Sequence, residues 1–503
     1  MRSKKAFLNV FTNLILQIFI FVYGFVVPKI IMSNFGSDVN GLVSSITQFL
    51  AYISLLESGI GPVVKSILYK PISEKDTKKI EDILYATERF FKSIAFIFVI
   101  YIAVLAFAYP SIVDISKSKL YVSSLIIIIS ISIFAEYFFG MTYRLFLQAN
   151  QETYVISIIE IIVYMLAILA VVILAKMKVS VHMLKIFSTL IFVMKPLTQN
   201  YYVKRKFNIN LKNADKDYVI KNKWDGLAQH IAYVIHSNTD ITVLTLFSTL
   251  SEVSVYSVYL LVVKGVKALI SAFSSGLDAS FGDMIAKNEK ENLRDKFGLY
   301  EIIYLMITTV LFTCAIILIV PFVKIYTLDI HDANYVRPVF GVLLVISECI
   351  WAIRLPYLAI TYAAGHFKET RKGAWVECIT NIVISIVLVR RLGITGVAIG
   401  TIVAMTIRTL EFIYHTDRKI LEVSILKSFK KILILVIVII IVDLVSDKLY
   451  VLENISYLNW LANAIVVFVF TSVLTFVLNY IFYNKELIKA LKIVKSILLR
   501  KKK

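Results

Sequence analysis

Apolar runs of about 20 residues recur from one end of this chain to the other, and a run of that length is what a helix needs to cross the hydrocarbon of a bilayer. Of 503 residues, 59% are hydrophobic and only 17% are charged. A single soluble core cannot absorb that much apolar surface, and a disordered, collagen-like or disulfide-rich secreted class is excluded. The fold class read from the sequence is all-α, a polytopic membrane protein with about 14 transmembrane helices. Spans fall near 8–31, 40–63, 90–110, 120–142, 154–175, 180–202, 226–247, 253–276, 299–321, 338–362, 373–390, 394–415, 429–446 and 459–482. A basic start before an apolar run could pass for a signal peptide, but this run is too long and has no clear small-residue cleavage site before Pro28 and Lys29, so it reads as the first span.

The net charge of +20 follows the membrane rather than a nucleic acid. With Arg2, Lys4 and Lys5 inside, about 36 of the Lys and Arg residues fall in inner segments and about 10 in outer ones, the bias expected of cytoplasmic loops. Both termini are therefore expected in the cytoplasm, in a multi-pass protein of the plasma membrane. After the last span, Leu487, Leu491, Val494 and Leu498 share one helical face and Lys485, Lys489, Lys492 and Lys495 largely the other. This tail reads as a basic amphipathic helix on the inner leaflet, or else as a solvated tail. Cys314, Cys349 and Cys378 lie in apolar sequence without metal or redox spacing, and the histidines show no ligand pattern. No cofactor and no metal is expected.

Two local matches relate the halves of the chain. Ser37, Asp38 and Val39 correspond to Ser251, Glu252 and Val253, and Glu152, Thr153 and Glu160 correspond to Glu369, Thr370 and Glu377, at offsets of 214 and 217. An offset of six spans preserves orientation, which implies two pseudo-symmetric six-helix lobes and two extra C-terminal helices. The expected organisation is a lobe over 1–203, a basic cytoplasmic linker over 204–223, a second lobe over 224–420, helices 13 and 14 over 421–484, and the basic tail over 485–503. Two lobes around a central site favour transport by alternating access. An enzyme acting on lipid-linked sugars would need larger outer loops than these, so no catalytic residues are assigned.

Ionisable side chains inside spans cost about 2.5–3.5 kcal/mol each on insertion scales and so need a partner, a wet cavity or a function. Lys264 and Lys267 share a face of span 8 and suit a polyanion, unless they pair with acids such as Asp240 or Glu57. Arg354 on span 10 precedes Pro356 and is a further cation candidate, unless it pairs with Glu348. Arg144 ends span 4, where a headgroup contact is the ordinary explanation. Polar stripes mark span 1 (Asn9, Asn13, Gln17) and span 7 (Gln229, Tyr233), suited to sugar hydroxyls or to interhelical hydrogen bonds. Glu57, Asp240 and Glu348 are buried carboxyls able to couple transport to an ion, or to neutralise neighbouring lysines.

Three stretches carry a resemblance. SNFGSDVNGLVSSITQFLAYISLLESGIG from Ser33 to Gly61, NTDITVLTLFSTLSEVSVYSVY from Asn238 to Tyr259 and GITGVAIGTIVA from Gly393 to Ala404 resemble bacterial polysaccharide flippases, exporters of undecaprenyl-diphosphate-linked oligosaccharides. The resemblance covers essentially the whole chain. It implies membership of the superfamily that also holds lipid II flippases and multidrug and toxin extrusion transporters. It further implies that Lys264, Lys267 and Arg354 meet the diphosphate of a lipid-linked oligosaccharide carried from the inner to the outer leaflet, with membrane lipids and polysaccharide assembly proteins as partners and no nucleic acid. An organic-cation antiporter of the same superfamily is the alternative, and a membrane polysaccharide polymerase a more distant one. The glycan and the oligomeric state are not legible.

Overall fold

The computed structural model describes residues 2–57, 59–220, 227–274, 278–449 and 456–500, and no strand occurs among them. The protein is an all-α polytopic membrane protein. It divides into two compact units, Met1–Ser254 and Val255–Lys503.

The first unit is built from α1 (Arg2–Phe35), α2 (Ser37–Ala51), α3 (Ile60–Glu74), α4 (Thr77–Ala108), α5 (Lys119–Ala135), α6 (Met141–Ala149), α7 (Thr153–Lys176), α8 (Val181–Phe207) and α9 (Leu227–Phe247). Side-chain caps open several of these helices: Asp76, Ser118 and Ser180 accept from the backbone N–H groups of Lys79, Tyr121 and Met183, satisfying donors that the first turn leaves open. One π-helical turn, Glu136–Gly140, joins α5 to α6 within a single span. The chain beyond α8 folds back on α4, where the N–H groups of Asn210 and Asp215 donate to Glu81 (2.7 Å) and Asp82 (2.6 Å).

The second unit takes up the chain within α10 (Leu250–Ser274) and continues with α11 (Asp278–Ala286), α12 (Lys290–Tyr326), α13 (Pro338–Ala363), α14 (Arg371–Leu392), α15 (Ile394–His415), α16 (Leu426–Leu449) and α17 (Tyr457–Arg500). Gly393, at φ 56°, turns α14 directly into α15, a backbone shape that side chains with a Cβ rarely adopt. The glycine-rich stretch noted in the sequence is thus a tight helical hairpin. Trp460 of α17 donates to the Leu318 carbonyl (3.1 Å) and stacks edge-on against Phe322, fastening the last helix to α12.

Twelve helical segments among the described residues are long and apolar enough to cross a membrane, against the fourteen expected. The two others are α9 and α16, 21 and 24 residues long. In α16 the apolar stretch is closed in by Lys427, Lys430 and Lys431 before it and Asp443, Asp447 and Lys448 after it, and in α9 only part of the side chains is described.

Large apolar side chains cover the outside of the units, and small polar ones are buried within an otherwise apolar interior. Phe96, Ile97, Ile100, Val104 and Phe107 of α4 are exposed, whereas Asn40, Ser45, Thr87, Asn381 and Ser385 are buried. Helices in lipid gain nothing from hiding apolar faces, so small polar residues and close approach hold them together, at about 0.6 kcal/mol per interhelical hydrogen bond. In the first unit Asn40 donates to Ser254 (2.7 Å), Ser45 and Thr245 share a hydrogen bond (2.6 Å), and Tyr109 donates to Ser45 (2.6 Å). Asn40 and Ser254 are 214 positions apart, the same offset as the first of the two sequence matches. At Gly41 an added Cβ would lie 1.8 Å from the Leu250 carbonyl oxygen, which only a glycine avoids.

Candidate functional site

Helical spacing of three places Lys264 and Lys267 on one face of α10, and Glu348 and Trp351 on one face of α13. These two faces meet. Lys267 Nζ lies 2.6 Å from Glu348 Oε2 and 4.3 Å from the centre of the Trp351 ring. Lys264 is exposed and has no ion-pair partner among the described residues, although it lies within electrostatic reach of both Lys267 and Glu348. Among the described residues one carboxylate thus stands beside two lysines and pairs with one of them, about 21 Å along α10 from its start. An ammonium over an indole face is itself stabilised.

Arg354 belongs to a different group. Six residues on a helix turn the side chain roughly 120° away from Glu348, toward α14 and α15. Its Nη1 donates to Glu377 Oε1 (2.7 Å), and Glu377 Oε2 lies 3.6 Å from Arg408 Nε. Arg408 also donates to the Thr370 carbonyl (2.6 Å) and Glu411 (2.5 Å), and its guanidinium lies 4.4 Å from the Phe412 ring centre. Two guanidinium groups and two carboxylates balance, and Arg354, Glu377 and Arg408 are all buried.

A matching group lies in the first unit. Lys195 of α8 pairs with Glu136 (3.0 Å) and Glu160 (3.4 Å), and Arg144 of α6 approaches the same two carboxylates at 3.4 and 3.8 Å. Arg144, Lys195 and Glu136 line a cavity of about 560 Å³, together with Glu57 and Tyr137, whose hydroxyl donates to Glu57. The π-helical turn at Glu136–Gly140 widens the span there.

The sugar candidates separate. Asn9 joins α1 to the start of α7, donating to the Gln151 carbonyl (3.1 Å) and accepting from the Tyr154 N–H (2.7 Å). Asn13 is exposed and Gln17 half-buried. Gln229 and Tyr233 lie on α9, with side chains outside the described residues. Of the coupling candidates, Glu57 faces the first unit's cavity, Glu348 holds Lys267, and Asp240 is half-buried on α9.

Sequence reasoning did not assign Glu136, Lys195, Arg408, Glu411 or Trp351. It passed over Arg144 as a boundary residue, whereas Arg144 is ion-paired. One signal was present: the repeat match that aligned Glu160 with Glu377 picks out the carboxylates on which both buried groups turn.

No protein-family model and no curated protein matches the chain. Solved structures do. The lipid II flippase MurJ in an inward closed conformation superposes with a TM-score of 0.67 at 16% identity, covering 95% of this chain and 99% of that one. An inward-facing multidrug resistance MATE family transporter of the MOP superfamily follows at 0.62 and 15%, covering 82% and 96%. A MOP superfamily transporter from Pyrococcus furiosus, described as having a binding pocket of reversed polarity, gives 0.51 and 14%, covering 86% and 95%. This chain shares their fold.

Proposed function

We propose that the chain is a flippase that moves an undecaprenyl-diphosphate-linked oligosaccharide from the inner to the outer leaflet by alternating access, for export of a cell-surface polysaccharide. Its setting in this reading is the cytoplasmic membrane, with both termini inside and polysaccharide assembly proteins as partners. The observation that carries the reading is Lys264, exposed and without an ion-pair partner among the described residues, beside the Lys267–Glu348 pair. A diphosphate would take the free ammonium directly and compete with Glu348 for Lys267, forming charge-assisted hydrogen bonds. Glu348, which holds Lys267, is the coupling candidate in most direct contact with the cations. On α1, Asn13 and Gln17 are the stripe residues left to meet sugar hydroxyls, since both ends of the Asn9 amide are engaged. The fold shared with a lipid II flippase over 95% of the chain supports a lipid-linked substrate.

A second reading, export of an organic cation, is favoured by one observation: the first unit's cavity brings Glu57 and Glu136 to its wall and Glu160 close behind, against Arg144 and Lys195. The two readings separate in proteoliposomes carrying a fluorescent undecaprenyl-diphosphate oligosaccharide, with organic-cation efflux measured in parallel. Lys264→Ala and Lys267→Ala should each slow flipping about 10-fold or more, with normal amounts of protein in the membrane. Full activity after charge reversal at both lysines would sink the assignment. Cation efflux without flipping would establish the second reading.

A further inference from the structure

The second unit has another cavity, of about 450 Å³, where α12 begins, α15 ends, α16 begins and α17 bends. Its floor holds one cation and two carboxylates: Lys431 lies 2.5 Å from Glu301, Tyr357 donates to Glu301, and Ser428 donates to Asp417 (2.8 Å). Arg294 on its wall is also engaged, with Glu422 (3.0 Å) and the Leu421 carbonyl. The rim is different. Lys427, Lys485 and Lys489 line it, are exposed, and have no ion-pair partner among the described residues, while the rim acids are Asp295 and Glu486.

The bend makes this rim. Tyr483 leaves helical geometry at φ −138° and ψ 37°, and beyond it Leu487 is buried against the unit. That contact sets Lys485 and Lys489, one turn apart, on the cavity. Ile481 and Phe482 before the bend and Ile488 after it are exposed, so an apolar shoulder adjoins the basic rim. Free phosphate has no use for such a shoulder, whereas a lipid places acyl chains there and its headgroup on the lysines.

We propose that this cavity binds the phosphate of an anionic phospholipid in the adjoining leaflet, which is the inner one where the basic-residue bias sets the orientation. The site is independent of the transported substrate. Lys427, Lys485 and Lys489 take the phosphate oxygens, and the bent end of α17 is the strap that closes around the headgroup.

The test is native mass spectrometry of the full chain, released from phosphatidylcholine nanodiscs with and without phosphatidylglycerol. Wild type should retain phosphatidylglycerol and not phosphatidylcholine. Substituting Ala for Lys427, Lys485 and Lys489 together should weaken retention on the order of 100-fold. Substituting Ala for Lys419, Lys430 and Lys492, equally basic but off the cavity, should leave it within about 3-fold. Equal losses in the two triple variants would reduce the effect to general surface charge and overturn the site. Retention of phosphatidylcholine, or full displacement of phosphatidylglycerol by inorganic phosphate at matched concentration, would overturn the lipid assignment. All six positions are exposed lysines, so folding should survive in both variants, and matching elution profiles would verify it.

Discussion

Arg144, Glu160 and Lys195 in the first unit and Arg354, Glu377 and Arg408 in the second each stand on three successive helical spans of their unit, and differ in their access to a cavity. The side chains of Arg144 and Lys195 are 35% and 19% exposed, those of Arg354 and Arg408 only 9% and 4%. Their fourth members also differ. In the first unit it is Glu136, on the π-helical turn that joins α5 to α6; in the second it is Glu411, one turn beyond Arg408 on α15. A carboxylate between two cations is thus common to both halves, while its surroundings make one group open to exchange and the other a closed brace. Buried charges of this kind are costly to separate because whichever partner remains has no solvent to turn to.

The comparison breaks most readily at its central carboxylates. Glu377→Ala leaves the buried Arg354 without its carboxylate and Arg408 with Glu411 alone, and should destabilise the protein by about 3–5 kcal/mol. Glu160→Ala, with its cations facing a cavity and Glu136 still in place, should cost about 1–2 kcal/mol. Thermal unfolding of both variants in detergent measures the difference, and equal losses would mean that cavity access does not distinguish the groups. The cations sharpen it further. Arg408→Lys removes the planar fork that serves Thr370, Glu377 and Glu411 together and should cost about 1–3 kcal/mol. Lys195→Arg, with room in the cavity, should fall within about 0.5 kcal/mol of wild type in the same measurement. The smallest effect belongs to an exposed group. Lys290, hydrogen-bonded to Glu422, and Arg294 beside it hold that carboxyl below its ordinary value of 4.5. A carboxyl lowered on folding stabilises above its unfolded pKa and loses that contribution as pH falls through its folded pKa. Melting of wild type should therefore lose a small increment from about pH 4.5 downward that Glu422→Gln lacks at every pH.

Much of this architecture was legible before any coordinates. Apolar length identified membrane helices, because that property is carried by residues close together in the chain. Lys264 and Lys267 could be set on one face for the same reason. Their partner could not. Glu348 lies within the same half, yet Arg354, its neighbour on α13, was an equally good candidate for it until the rotation of α13 against α10 and α14 was known. The polar stripe on α1 failed in part for a related reason: spacing put Asn9, Asn13 and Gln17 on one side, but it could not tell that the first of them would cap the start of α7.

Composition and periodicity by themselves determined that the chain is a membrane protein and that it crosses as helices, since a backbone in lipid has so few ways to satisfy its hydrogen bonds. Only the tertiary structure decided which charges pair, which of the two charged groups opens to a cavity, and that Lys264 has no ion-pair partner among the described residues. Those outcomes depend on how each helix is rotated against its neighbours, and rotation is settled by packing among residues distant in sequence.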